Sequence, residues 1–178
     1  VTEVRPNDTI HIVGYNPNWP ALYEQERAVV AAAFGEIAAE IHHVGSTAVP
    51  GLSAKPIIDI MVAVTHLAPP EEYAGKLEPL GYEYHDSEEA GRIFFRKGLP
   101  RTHHVHVVER GSWTLQRHLL FRDYLRAHPQ AMRQYAQLKQ ELAIRFEFDR
   151  KAYTQAKTEF VESIIAVAAA GYKIQSPG

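Results

Sequence analysis

The chain has 178 residues, and a domain of that length buries about 70% of the surface its unfolded form would expose, so it needs no covalent staple. It contains no cysteine, which excludes disulfides and thiolate metal sites and leaves His, Asp and Glu as metal ligands. A net charge of -2 gives no global field for nucleic acid, so a polyanion would need a local basic patch, and ten histidines are the unusual feature.

The start, Val1 to Pro6, lacks a basic-then-apolar leader pattern, and no apolar run is long enough to span a bilayer. The expectation is a cytoplasmic protein with no membrane contact and no clear nucleic-acid surface. Ile10 to Val13 alternate and stop at Gly14, which predicts a short edge strand. Asn16-Pro17-Asn18-Trp19-Pro20 reads as a turn and a helix start. Tyr23, Val30, Phe34 and Ile37 then give that helix a buried stripe, ending between 35 and 39. Glu26, at the edge of the stripe, is expected on a solvated flank rather than turned toward the sheet.

Two strands follow, at 40–45 and 57–64, joined by a Pro/Gly-punctuated connection. Pro69 and Pro70 open a short helix through Leu77, closed by Pro79 and Gly81. Tyr82 to His85 is a weak strand, and 92–97 with 102–108 form a hairpin around Gly98 to Arg101. Beyond Ser112 the pattern is helical: 112–127, ended by His128-Pro129, then 130–144, then a last helix capped by Asp149. Tyr153, Lys157, Phe160, Ile164 and Ala168 are the stripe of that last helix. Strands first and helices last predict a single mixed α/β (α+β) domain over 1–178, with a partly antiparallel sheet and a helical C-terminal layer.

The chemistry concentrates in 41–62. An acid between Ile58 and Ile60 costs several kcal/mol to desolvate unless it is paired, metal-bound or at a wet strand end. Strand alternation puts Asp59, Met61 and Ala63 on one face, and His104 with His106 on one face of the later strand, with His103 opposite. Should the two strands be neighbours, one carboxylate and two imidazoles would meet, as metal-binding strands allow. The competing reading is a hydrogen-bonded histidine pair on a sheet edge. Arg92, Arg96, Lys97 and Arg101 nearby make a cationic rim that a phosphorylated ligand would need.

The turn Gly45-Ser46-Thr47 offers backbone N–H groups and hydroxyls suited to phosphate. It is not a P-loop, because the Gly-Lys-Ser/Thr ending is missing and Lys55 comes too late. A nucleophilic role for Ser46 or Ser53 would require a base and an orienting group within reach. Lys157, a cation in an apolar stripe, either snorkels to water or reaches a phosphate. Arg117, His118, Arg122 and Asp123 read as helix-surface pairs.

Residues 44–60, 101–108 and 121–126, with Tyr15 to Pro20 and the late Tyr153, Lys157 and Phe160, closely resemble the GrpB-like family over nearly the whole chain. That family is similar to the nucleotidyltransferase superfold, and in some bacteria its members are fused to dephospho-CoA kinase. The resemblance implies a nucleotidyltransferase-like sheet, with Val44, Gly45 and Ser46 matching the start of the superfold's motif and Asp59 its first acid. The second acid falls on Met61, a thioether that cannot hold Mg²⁺. His104 and His106 would then supply replacement ligands beside Asp59, for a divalent metal (Mg, Mn or Zn) of unknown identity, or transfer chemistry is lost. The expected ligand is a nucleotide or other phosphorylated small molecule held by Gly45, Ser46, Thr47, Lys55, Arg101 and Lys157, with Asp59, His104 and His106 catalytic. The alternatives are a catalytically silent nucleotide-binding module linked to coenzyme A metabolism and a metal-dependent phosphoesterase.

Overall fold

The structure, a computed structural model, describes residues 9–175, with side-chain surroundings as far as Gly171. The leader reading of Val1 to Pro6 lies outside the described residues. Five strands form one sheet in the order β1-β2-β5-β4-β3: β1 (Ala38–Val44), β2 (Ile58–Val64), β3 (Tyr82–His85), β4 (Arg92–Lys97) and β5 (His103–Glu109). Only the central β2–β5 pair is parallel, with Asp59 opposite His104 and Met61 opposite His106. Such a pair needs a crossover. Here α2 (Pro70–Leu77) and the β3–β4 hairpin provide it.

Alternation along β2 sorts its residues between two cores. Ile58, Ile60, Val62 and Val64 pack with Trp19, Tyr23, Val30 and Phe34 of α1 (Trp19–Phe34) and with Tyr73 and Leu77 of α2. On the opposite face Met61 and Ala63 meet Val44, Val108 and Leu115 of α3 (Trp113–Ala127). A third cluster, Val49, Leu52, Leu125, Ala131, Tyr135 and Ile164, ties the β1–β2 connection to α3, α4 (Pro129–Arg145) and α6 (Thr158–Gln175). Local chemistry sets the helix starts. Ser112 Oγ accepts from Leu115 N (3.3 Å), Asp149 Oδ1 accepts from Ala152 N (2.9 Å), and prolines stand in the first turns of α1, α2 and α4. No helix among the described residues is long and apolar enough to cross a membrane.

Three expectations need correction. Residues 10–13 are not a strand; Val13 makes a single bridge to Ala54, and Ile10 instead packs with Leu142 and Tyr153. The last helix is two, α5 (Arg150–Ala156) and α6, separated at Lys157, whose N–H bonds Thr154 O three residues back. A stripe of apolar residues continues through such a break because both pieces face the same core, so periodicity does not reveal it.

Glu26 is the third. Its side chain is 12% exposed, and Oε1 accepts from Tyr82 OH (2.9 Å) and Lys97 Nζ (2.8 Å), pinning α1 to β3 and β4. Burial would raise its pKa, but the bonds from Lys97 and Tyr82 and the nearby His103 outweigh it and hold the carboxyl below its usual value. Glu26→Ala leaves Tyr82 OH and Lys97 half-buried without their acceptor. It is expected to cost about 1–3 kcal/mol, read as a lower urea midpoint at unchanged slope.

Candidate functional site

The β1–β2 connection brings the site together. Gly45 has φ +74°, and a Cβ built there would lie 2.6 Å from Asp59 Oδ2, so glycine is required both for the turn and for the approach of the carboxylate. Ser46 then opens a single 3-10 turn, Ser46–Ala48. Asp59 is itself 25% exposed, and its Oδ1 is 3.0 Å from His104 Nδ1 and 3.1 Å from His106 Nε2. Burial pushes this carboxyl up, but the bonds and charges of the two imidazoles prevail and hold it well below the carboxylate range. An ionised carboxylate only accepts, so both rings donate to it.

Behind His106, Arg92 Nη1 lies 3.5 Å from Nδ1. A guanidinium can only donate, which places the His106 proton on Nε2. Burial, with Arg92 and His118 acting against Asp59, pulls that imidazole down to about 4, so it stays neutral at pH 7. His104 Nε2 is buried and has no hydrogen-bond partner among the described residues.

These three residues are the one group among the described residues whose ligand atoms could hold a metal, all lying within 4.8 Å of one another. The donor chemistry suits one ion better than two. A ligating imidazole ordinarily turns its second nitrogen to an acceptor, whereas His106 turns its own toward Arg92. Met61, the position where the resemblance led to the expectation of a second acid, is fully buried in the α3-side core. An ion held by Asp59 and His104 would replace the Nδ1–H bond between them, the ring proton moving to the buried, unpartnered Nε2, and an imidazole ligand would favour Mn²⁺ or Zn²⁺ over Mg²⁺.

Around this acid stand cations. Burial, followed by the charges of Arg150, Arg101 and Arg96, lowers Lys55 to about 8 against the pull of Asp59. Lys157 is lowered to about 7 by burial and by Lys55, again against Asp59. Lys139, 2% exposed on α4, falls to about 6 through burial and the charges of Lys157 and Lys55. Arg96 is brought down to about 10 by burial and by Arg101, Arg150 and Arg92. The rings of Tyr153 and Tyr135 support the lysines: Lys157 and Lys55 lie 4.3 Å and 5.1 Å from the Tyr153 centroid, and Lys139 4.8 Å from that of Tyr135. Lys139 Nζ also bonds Ser46 Oγ (2.9 Å) and the Ser53 carbonyl.

Of the residues singled out in the sequence, Gly45, Ser46, Lys55, Asp59, His104, His106 and Lys157 are linked by contact or charge around the Gly45–Ser46 turn, and Arg101 is linked only through its charge on Lys55 and Arg96. Thr47 departs. It is 2% exposed, its hydroxyl donates to Ile57 O (3.2 Å), and its Oγ1 meets His43 Nε2 (3.0 Å), so it braces the turn from within. Lys139 was missed, although it carries the same signal as Lys157: a cation among Ala131, Tyr135 and Leu142, the buried residues of α4.

The α3 residues are more than surface pairs. Arg122 donates to His43 O (3.0 Å) and Arg126 to Ala48 O (2.9 Å), clamping the turn. Arg117 binds Glu89 and Glu162, and together with His118 it closes the polar end of a cavity of about 180 Å³ that Ser46 lines.

The fold compares with nucleotidyltransferase-type polymerases. The GLD-2/RNP-8 complex aligns at TM-score 0.56 and 12% identity over 86% of this chain and 60% of that one. The Cid1 poly(U) polymerase bound to Mg and 3'-dATP aligns at 0.54 and 12% over 82% and 49%. A dephospho-CoA kinase of Mycolicibacterium paratuberculosis is 29% identical over 83% of this chain and 43% of its own length. The UPF0157 protein YqkA of Bacillus subtilis is 38% identical over 92% of this chain, which spans 48% of that protein. The UPF0157 protein PA4798 of Pseudomonas aeruginosa is 42% identical over 92% of this chain and 69% of its own. The crystal structure of GrpB from Enterococcus faecalis matches at TM-score 0.82 and 34% identity, over 91% of this chain and 99% of that one. With the GrpB protein family model matching residues 9–166, the chain belongs to the GrpB family.

Proposed function

We propose that the chain binds a nucleotide through its polyphosphate, seated at the Gly45–Ser46 turn and held by Lys55, Arg96, Arg101, Lys139 and Lys157. The observation that carries this reading is the crowding of cations: Lys55, Arg96, Lys139 and Lys157 are each lowered by burial and by like charge, Arg101 acting on Lys55 and Arg96, with Asp59 the acid acting on Lys55 and Lys157. Cations held that way destabilise the empty protein. An anion between them reverses the sign of the interaction, since charge-assisted bonds to phosphate contribute about 1.5–3 kcal/mol each. The fold likeness to Cid1, a protein seen with 3'-dATP and Mg, supports the ligand class. One divalent ion, if it accompanies the phosphates, would be held by Asp59 and His104. It would polarise a phosphoryl oxygen.

Met61 favours binding without transfer as the second reading. A pair of ions that would activate an acceptor and neutralise a leaving pyrophosphate needs a second carboxylate, and a buried thioether offers none.

Calorimetric titration with ATP, UTP and dephospho-CoA, with EDTA or Mn²⁺, tests both. Triphosphate binding is expected to persist in EDTA, because the side chains themselves carry the positive charge. It should weaken with salt and take up protons at pH 8 as Lys157 and Lys139 regain theirs, seen as a buffer-dependent heat. Absence of binding by all three compounds from pH 6 to 8 overturns the proposal. Pyrophosphate release in the presence of Mn²⁺ separates transfer from binding alone.

A further inference from the structure

We infer that Ser46 and Lys139 form a nucleophile and base pair that opens on the cavity between α3, α4 and α6 and accepts a carboxylic ester with a short apolar acyl group. This goes beyond the nucleotide reading and uses the Ser46 hydroxyl differently. A serine becomes a nucleophile when a base stands within hydrogen-bond reach and is itself oriented. Lys139 Nζ is 2.9 Å from Ser46 Oγ, and its second contact, the Ser53 carbonyl, orients it. A neutral amine has two hydrogens and one lone pair. The ammonium form donates to both Ser46 Oγ and the Ser53 carbonyl; in the neutral amine one hydrogen stays on the Ser53 carbonyl and the lone pair can turn to the Ser46 hydroxyl, which also bonds the Tyr135 side chain.

Three further groups face this amine: Lys157 at the α5–α6 junction, Lys55 ahead of β2, and the Tyr135 ring one helical turn earlier on α4. Burial and the two lysines bring Lys139 to about 6, so the base form prevails at pH 7. Asp59 serves the two imidazoles and is no part of this pair.

Ser46 is half-buried and follows the positive-φ Gly45, so its hydroxyl is carried on a tight turn. The cavity it lines holds about 180 Å³ and is walled by Phe121, Tyr135, Val161 and Ile165, with Arg117 and His118 at its polar end. The cavity is open on one side, and its apolar walls suit a short acyl group.

In the step, the Ser46 Oγ–H proton passes to Lys139 Nζ as the Oγ–C bond forms at the ester carbonyl. The C–O bond to the alcohol breaks, and the departing oxygen takes the proton from Lys139. Water then attacks the acyl-serine, giving a proton to Lys139, and as the Oγ–C bond breaks Lys139 returns that proton to Ser46 Oγ, releasing the acid. The sum is ester plus water to acid plus alcohol, with no further reactant.

A fluorophosphonate probe followed by peptide mass mapping, with p-nitrophenyl butyrate hydrolysis alongside, tests the pair. The expected result is one adduct, on Ser46, formed at a rate that rises with pH through about 6 and levels above it. Lys139→Arg keeps a cation that cannot act as base, and labelling should fall by about 100-fold or more while a circular-dichroism melt shows the fold intact. Lys139→Met serves where the arginine does not fit.

A folded wild-type protein with no Ser46 adduct between pH 5 and 9 overturns the inference, as does Lys139→Arg or Lys139→Met labelled at the wild-type rate. Nucleotide binding without an adduct removes this pair alone. An adduct without nucleotide binding removes only the nucleotide reading.

Discussion

Lys157→Met is expected to make the empty protein more stable and a poorer binder at once. Lys157 has an intermediate exposure and is pushed down to about 7 by burial and by Lys55. In the unfolded chain the same amine titrates near 10.4. The folded form therefore holds fewer protons than the unfolded one between those values, and stability rises with pH across that window. Below about 7 both forms are charged and the penalty is full. Above about 10 both are neutral and it is gone.

Methionine removes the penalty and keeps most of the packing, at the loss of a cation–π contact with Tyr153 of about 0.5–1 kcal/mol. The balance should be a gain of about 1–3 kcal/mol at pH 7, or several degrees in melting temperature, since about 1 kcal/mol moves a domain of this size by about 2–4 °C. The gain should shrink toward pH 10. Nucleotide affinity should fall about tenfold to a hundredfold, from the loss of one charge-assisted contact. A purely structural lysine would instead lower the melting temperature and leave binding unchanged, and that outcome would sink the site. Differential scanning fluorimetry from pH 6 to 10, paired with titration calorimetry, reads both.

Gly45→Ala should carry the largest cost to the fold per atom added. Its φ of +74° is disfavoured for any residue with a Cβ, by about 1–2 kcal/mol. The new methyl would also meet Asp59 Oδ2 at 2.6 Å and its Cβ and Cγ at 3.2 Å. Asp59 has little room to yield, because Oδ1 is tied to both His104 and His106. Together the strain and the disrupted imidazole bonds predict a loss of about 3–5 kcal/mol, measured by denaturant titration.

The double variant Gly45→Ala with Asp59→Ala isolates the clash. With the carboxylate gone, the added methyl should cost its backbone strain and a 3.2 Å contact with the remaining Cβ but not the 2.6 Å clash, so the two substitutions should be non-additive by at least about 1 kcal/mol. Simple additivity would mean that Gly45 is kept for its turn alone.

Much of the sheet was legible along the chain because strand alternation is local. The side on which Asp59, His104 and His106 project follows from a period of two and needs no knowledge of neighbours. Helix starts at Pro20, Ser112 and Asp149 were equally readable, since each is a short-range feature of capping or of proline at a first turn, whereas Pro129, expected only to break the preceding helix, is itself the first residue of α4. Thr47 was misread because whether a turn hydroxyl faces inward or outward depends on what it meets. Here that is the Ile57 carbonyl ten residues later. Glu26 was misread for the same reason, its partners being fifty-six and seventy-one residues away.

The amino-acid order by itself determined the residue types, the faces they occupy and the absence of a second acid at Met61. Tertiary structure decided the parallel register that sets Asp59 against His104, the docking of α4 that carries Lys139 to Ser46, and the packing that brings Lys55 and Lys157 within the pull of Asp59 and of Lys139. The physical reason is range. Dihedral preference and side-chain alternation act over a few residues, whereas strand register, buried charge and proton affinity are set by groups distant along the chain that only packing brings together.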